Sequence, residues 1–168
     1  SDVYKRQEQQ FPATAIPIAV HNGDMMTNNL YDQSINITNW PSVRIDRAIL
    51  GSGTASTTSE SFLQYYSERI NIFAPAEINA SAFFDSGTRN ISIDLSGQFA
   101  INLTGDYRFN AVILENEVGP YNQQNNYVGI QPQLIAPISG INFSTGGNPI
   151  NIKFDNVARE ILGGYDGI

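Results

Sequence analysis

The chain has 168 residues, 41% of them hydrophobic and 15% charged, a composition suited to a folded core. Its net charge is −7 and its nine Lys and Arg are scattered, which argues against nucleic acid as a partner. It has no cysteine, which excludes disulfides, zinc-thiolate and iron–sulfur sites and cysteine nucleophiles within this sequence.

Residues 1–10 are polar and charged, and SDVYKRQ reads either as a non-native leader or linker or as an ordinary helix end. Residues 15–20 (AIPIAV) form a short apolar run that suits a strand buried on both faces of a parallel sheet. Pro17 opposes a regular ladder position there, because it has no N–H to donate. HNGD follows, and Asp24 is expected to cap a short helix over residues 25–34. Residues 43–47 (VRIDR) alternate like a strand, and Gly51-Ser52-Gly53 breaks the chain.

Thr57 followed by Glu60 is a capping box, and Phe62, Tyr66, Arg69, Ile70 and Phe73 share one helical face. The expected helix runs over residues 59–73 and stops before Pro75. The period then changes from 3.6 to 2. Residues 78–84 and 91–96 alternate on either side of the turn Asp85-Ser86-Gly87-Thr88. Residues 107–115 and 150–154 read as further strands. Short strands with turns between them suggest a β-sandwich, and the change of period sets a boundary near residues 74–77.

No apolar run approaches the ~18–20 residues that span a bilayer, and no signal-peptide pattern is present. P-loop, G-x-S-x-G and dinucleotide fingerprints are lacking, and the sequence calls for no cofactor. His21, the sole histidine, could in principle act with Asp24 and Asp46 as a base or metal ligand, but a lone strand-end histidine is usually structural. Glu115 and Glu117, two apart on an expected strand, would share one face about 7 Å apart, within the range of paired glycosidase carboxylates; a solvated strand end is the plainer reading. The Asn/Gln/Gly-rich stretch 119–129 and Asp155-Asn156 offer oxygen ligands for calcium, without EF-hand spacing. Tyr121 and Tyr127 in that stretch make a candidate ligand loop. The Asn-x-Ser/Thr matches at residues 36, 79, 90, 102 and 142 arise readily in an Asn-rich chain.

Three stretches carry a resemblance: residues 16–24 (IPIAVHNGD), 39–47 (NWPSVRIDR) and 154–164 (FDNVAREILGG). In order and spacing the chain resembles the twenty-eight-kilodalton outer-membrane-protein-related family of Bacteroidetes-type bacteria. The resemblance implies an α+β chain, with a partial thioredoxin-like α/β unit over residues 1–74 and an incomplete immunoglobulin-like antiparallel β-sandwich over residues 75–168. It implies truncation at both ends, with any Cys-x-x-Cys upstream. The matching positions are His21, Asp24, Trp40, Pro41, Arg47, Asn156 and Arg159. Where the family has Asn-His-Val, this chain has Asp155-Asn156-Val157, which puts that histidine's role in doubt. By analogy with the strand-opening proline of thioredoxin-like folds, Trp40–Pro41 is expected to be cis.

The expected function is a non-catalytic interaction or structural protein of the bacterial outer membrane, cell envelope or secreted fraction. Its partner would be a protein or glycan at the cell surface. The alternatives are thiol–disulfide exchange, with cysteines encoded upstream, and carbohydrate binding through Tyr121 and Tyr127.

Overall fold

The computed structural model describes residues 10–37, 42–49, 59–130, 135 and 140–168. Its elements in chain order are α1 (Asn29–Ile35), β1 (Arg44–Ile45), β2 (Ala48–Ile49), α2 (Ser59–Ile70), β3 (Ala76–Asp85), β4 (Asn90–Phe99), β5 (Ala111–Glu115), β6 (Val118–Gln123), β7 (Ile150–Phe154) and β8 (Val157–Leu162). The strands form four two-stranded antiparallel sheets, β1–β2, β3–β4, β5–β8 and β6–β7. The protein is therefore α+β and mainly β.

The alternation in residues 76–99 produces the longest hairpin. Its register pairs Ala76 with Phe99 through Asp85 with Asn90. Partners across an antiparallel pair share a face. Ile78, Phe84, Ile91, Ile93, Leu95 and Phe99 therefore lie on one side, and Glu77, Ser81, Asp85, Ser92 and Asp94 on the other. At the base, Phe109 lies against Gly97 so closely that an added Cβ would stand 2.9 Å from the ring. Tyr107 meets Phe99 edge-on at 4.9 Å between centroids.

Asp85 closes the hairpin turn. Its Oδ1 accepts from Gly87 N at 2.8 Å and Thr88 N at 3.3 Å, and its Oδ2 from Thr88 Oγ1 at 2.7 Å. These bonds, the Thr88 hydroxyl foremost, hold the carboxyl below its ordinary pKa. A depressed folded-state pKa stabilises the turn above the unfolded value near 4, and the effect is lost as pH falls through the lower value. Amide exchange at Gly87 and Thr88 should accelerate over that acidic interval, and Asp85→Asn should flatten the dependence.

β5–β6 and β7–β8 form one bent ribbon. Ala111 pairs with Leu162, Val118 with Phe154 and Gln123 with Ile150. At the bend the two strands cap each other. Glu117 N donates to Asp155 Oδ1 and Asn156 N to Asn116 Oδ1, both at 2.8 Å. Glu117 and Asn156 both take φ of +57°, the left-handed region that asparagine tolerates better than most side chains. Asn156→Gly should therefore leave stability within about 1 kcal/mol, whereas Asn156→Val should lose about 1–2 kcal/mol in a urea melt.

Residues 15–20 run beside β8 and touch it in a single parallel bridge, Ala19 to Val157. Ala19 N donates to Asn156 O at 2.7 Å, and Ala158 N to Ala19 O at 3.0 Å. The next donor of a parallel ladder would be residue 17, and proline cannot serve. The expected strand is thereby reduced to one bridge.

The core has two clusters on the bent ribbon. Met26, Val118, Ile152, Phe154 and Val157 form the first. Tyr31, Ala158 and Ile161 form the second, flanked by Ile18, Val20, Ile35, Val112, Leu114 and Tyr165. Residues near the start of the chain thus share a core with its last strand.

Several expected elements are shifted. α1 begins at Asn29 and not at residue 25, because Asn28, not Asp24, caps it, accepting from Tyr31 N at 2.9 Å. The strand at 43–47 shortens to Arg44–Ile45, because Asp46 and Arg47 both take positive φ and form the turn into β2. α2 ends at Ile70, with Phe73 exposed beyond it. The strand expected from residue 107 begins at Ala111. Trp40 and Pro41 lie outside the described residues. Among the described residues the cis peptides are Gly119–Pro120 and Asn148–Pro149.

Candidate functional site

Two of the three stretches that carried the family resemblance meet in space, and the third reaches the residue just beyond them. Residues 16–24 reach β8 through Ala19, and residues 42–47 reach the turn after β8 through Arg47. The Arg47 guanidinium stacks 4.3 Å above the Tyr165 ring, and its Nη1 donates to Tyr165 O at 2.6 Å. Asn110 Nδ2 donates to the same carbonyl at 3.0 Å. Tyr165 in turn lies 5.9 Å from the Tyr31 ring. Burial pushes the Tyr31 hydroxyl above its ordinary pKa, partly opposed by the Arg47 charge.

His21 and Asp24 form a pair. His21 Nδ1 lies 2.8 Å from Asp24 Oδ2, and the imidazole sits edge-on to Phe154 at 5.1 Å. Asp24 Oδ1 also accepts from Met26 N at 2.8 Å and from Thr27 Oγ1 at 3.3 Å. One carboxylate therefore folds residues 21–27 into a closed turn, and that turn places Met26 in the core. A general base needs a second reacting group within reach. The hydroxyl near this pair, Thr27, is bound to the same carboxylate. The arrangement clamps a loop.

Arg159 occupies the bulge of β8, where Ile113 pairs with Glu160 and Leu114 with Ala158. Its Nε lies 3.0 Å from Glu115 Oε2, and its carbonyl accepts from Asn28 Nδ2 at 2.9 Å. Glu115 and Glu117, for which a solvated strand end was the plainer reading than a carboxylate pair, do not share a strand. Glu115 is in β5, whereas Glu117 is in the bend and faces Lys153 at 3.5 Å. Each glutamate thus has its own cation. Asp155 and Asn156 serve the bend with side chain and backbone. Among the described residues no three His, Asp or Glu converge as a metal site would require.

Tyr121 and Tyr127 are unlike each other. Tyr121 packs on the first core cluster, while Tyr127 is half exposed, with Phe143 tilted against it at 6.4 Å. Asn125, which the sequence reading passed over, organises this loop. It is 2% exposed, donates from Nδ2 to Phe143 O and Gly147 O, and accepts from Tyr127 N. The signal in sequence was faint, because those carbonyls come from residues 143 and 147.

A cleft of about 390 Å³ lies between residues 14–20, α1 and the β1–β2 turn, with Ile16, Ile18, Tyr31, Val43 and Val112 on its walls. The charged groups at its edge are already engaged. Asp46 Oδ2 pairs with Arg69 Nε at 3.0 Å, Arg44 Nη2 donates to Asn36 O at 3.3 Å, and Asp32 Oδ2 accepts from Asn22 Nδ2 at 2.8 Å. Thr14 and Tyr66 share a hydrogen bond, and the Tyr66 ring stacks on Phe11 at 4.1 Å. Its lining is mixed, with Thr14, Asp32, Ser42, Arg44, Asp46 and Asn110 beside the apolar side chains.

Fold and site together describe an α+β, mainly antiparallel protein whose conspicuous polar residues fasten loops. No protein-family model, curated protein or solved structure matches the chain. No helix among the described residues is long and apolar enough to cross a membrane.

Proposed function

We propose that this protein is a non-catalytic interaction or structural protein of a bacterial cell envelope, of the outer-membrane-related type that its motifs resemble. In this reading a thioredoxin-like unit serves as scaffold and an immunoglobulin-like sandwich presents binding surface. The observation that carries it is the β3–β4 hairpin, whose apolar side chains stand open to solvent. Exposed apolar surface of this kind marks an interaction site. Two further observations support it. His21, Asp24, Arg47 and Arg159 are engaged in holding loops together. Two of the motif stretches pack together through Ala19 and Val157, and Arg47 of the third stacks on Tyr165, just beyond residues 154–164.

Fractionation of source cells with surface biotinylation tests the location. Recovery in the envelope fraction is expected, and recovery in the cytosol alone would overturn the proposal. Thiol–disulfide exchange needs a thiolate, which this sequence cannot supply. The purified chain should give no turnover in an insulin-reduction assay, and measurable turnover would refute the non-catalytic reading. Carbohydrate binding is a second reading, favoured by the exposed Tyr127 ring. Glycan-array binding lost in Tyr127→Ala would establish it, and a blank array would remove it.

A further inference from the structure

Asn22 and Gly23 are exposed in the turn that Asp24 closes. Asn22 is the one asparagine of this chain that precedes a glycine. In that pair the backbone nitrogen can reach the preceding side chain, because glycine has no Cβ to hinder the approach and its backbone turns freely. We propose that Asn22 is a site of spontaneous deamidation, and that the change releases the 21–27 turn from α1.

The nucleophile is free. Among the described residues no acceptor takes the Gly23 N–H. The neighbouring Asp24 N–H, by contrast, donates to Thr27 Oγ1 at 3.0 Å. The surroundings are open as well, since a Cβ built on Gly23 meets nothing within 4 Å. The other pair of this chemical kind is Asp166–Gly167, and there the fold closes the route. Gly167 N donates to Gly164 O at 3.4 Å, and an added Cβ would stand 2.8 Å from Phe109 O. The structure therefore singles out residue 22.

The reaction needs only water. Water takes the Gly23 amide proton as the nitrogen attacks Asn22 Cγ. The new C–N bond closes a five-membered ring, and Nδ2 leaves with a proton as ammonia. Water then adds to one ring carbonyl and breaks its bond to nitrogen. Opening at the side-chain carbonyl gives aspartate. Opening at the backbone carbonyl gives isoaspartate, whose main chain is one carbon longer. Nothing is oxidised or reduced, and the chain gains one negative charge.

That charge arises at a sensitive place. Asn22 Nδ2 donates to Asp32 Oδ2 at 2.8 Å, and Asp32 lies in the first turn of α1. A carboxylate at position 22 has no hydrogen to donate, so two anions face each other where a donor met an acceptor. The bonds of Asp24 still close the turn on itself, but its tie to the helix is lost. The change is one-way, so it marks the age of the molecule.

The full chain, held at mildly alkaline pH beside a synthetic peptide of residues 19–26, tests the site by peptide mapping. A gain of about 1 Da at residue 22, divided between aspartate and isoaspartate, is the expected product. Its rate should lie within about fivefold of the free peptide's, since an exposed turn opens locally at little cost. Gly23→Ala, whose methyl enters open space, should slow it about tenfold. Asn22→Asp should speed amide exchange at Met26 and Thr27 roughly two- to fivefold, and Asp32→Asn in that background should reverse the effect. A longer lag behind the peptide, an unchanged rate in Gly23→Ala, or isoaspartate at residue 166 ahead of residue 22 would overturn the site. Unchanged exchange in Asn22→Asp would overturn the release from α1.

Discussion

Val157→Asp is expected to remove about 4 kcal/mol or more of folding free energy, a large part of the 5–15 kcal/mol typical of a domain. Val157 is the most enclosed side chain described, at 0% exposure. It packs with Met26, Val118, Ile152 and Phe154. Its backbone lies in β8 opposite Glu115 and bridges Ala19. A carboxylate there loses its hydration and meets no cation among the residues of that cluster. Val157→Ala, which leaves only a small void, should cost about 2 kcal/mol. The aspartate deficit should shrink as pH falls through the buried acid's raised pKa and level off below about 4, because a neutral acid is cheaper to bury than an anion. Urea melts of the three proteins at neutral and acidic pH measure this. A change under 1 kcal/mol in the aspartate variant would mean that Val157 lies outside the core.

Asn125→Ala should cost about 2–4 kcal/mol, because it strands three backbone groups at once. The amide donates to Phe143 O at 2.8 Å and Gly147 O at 3.2 Å, while its oxygen accepts from Tyr127 N at 3.1 Å. The Asn125 backbone N–H also donates to Asn148 Oδ1 at 3.0 Å, so the two ends of the connection are tied twice. Asn125→Asp should be worse than Asn125→Ala. Its carboxylate can still accept from Tyr127 N, but it cannot donate to two carbonyls and would repel them. Hydrogen exchange at Tyr127 and Gly129 should accelerate first, since Gly129 N donates to Ser144 O within the same connection. Unchanged exchange there in Asn125→Ala would show that the loop does not depend on this amide.

The hairpin at 76–99 was legible because its period-2 alternation persists through ten paired positions around an Asp-Ser-Gly-Thr turn. Local chemistry specifies such an element. The start of α1 was read four residues early, because Asp24 and Asn28 are both suitable caps. The competition is settled by Met26, whose burial makes Asp24 close a turn and leaves the helix to Asn28. The run at 15–20 was read as a strand buried on both faces, whereas it makes one parallel bridge at Ala19 with Ile16 exposed, and Pro17 sets the limit. The bend of the ribbon was not legible. Its two caps join Glu117 to Asp155 and Asn156 to Asn116, and no local pattern announces a bond of that reach. The bend also parts Glu115 from Glu117, for which a solvated strand end was the plainer reading. Their spacing implies one strand face only if no bend intervenes. Of the site residues, His21 and Asp24 were paired by proximity in sequence. The stacking of Arg47 on Tyr165 depends on how the ends of the fold meet.

That meeting bears on how the protein is made. Ala19 finds its partner at Val157, and Tyr31 packs on Ala158 and Ile161. During synthesis Ala19 and Tyr31 therefore emerge well before the strand they pack on. The hairpin at 76–99 can close as soon as it appears, because its contacts are local. The second core cluster cannot close until β8 has left the ribosome. The chain thus carries an open apolar hairpin, and the segment around Ala19 and Tyr31 without its β8 partner, until that strand emerges. Both are surfaces that a holding chaperone would recognise.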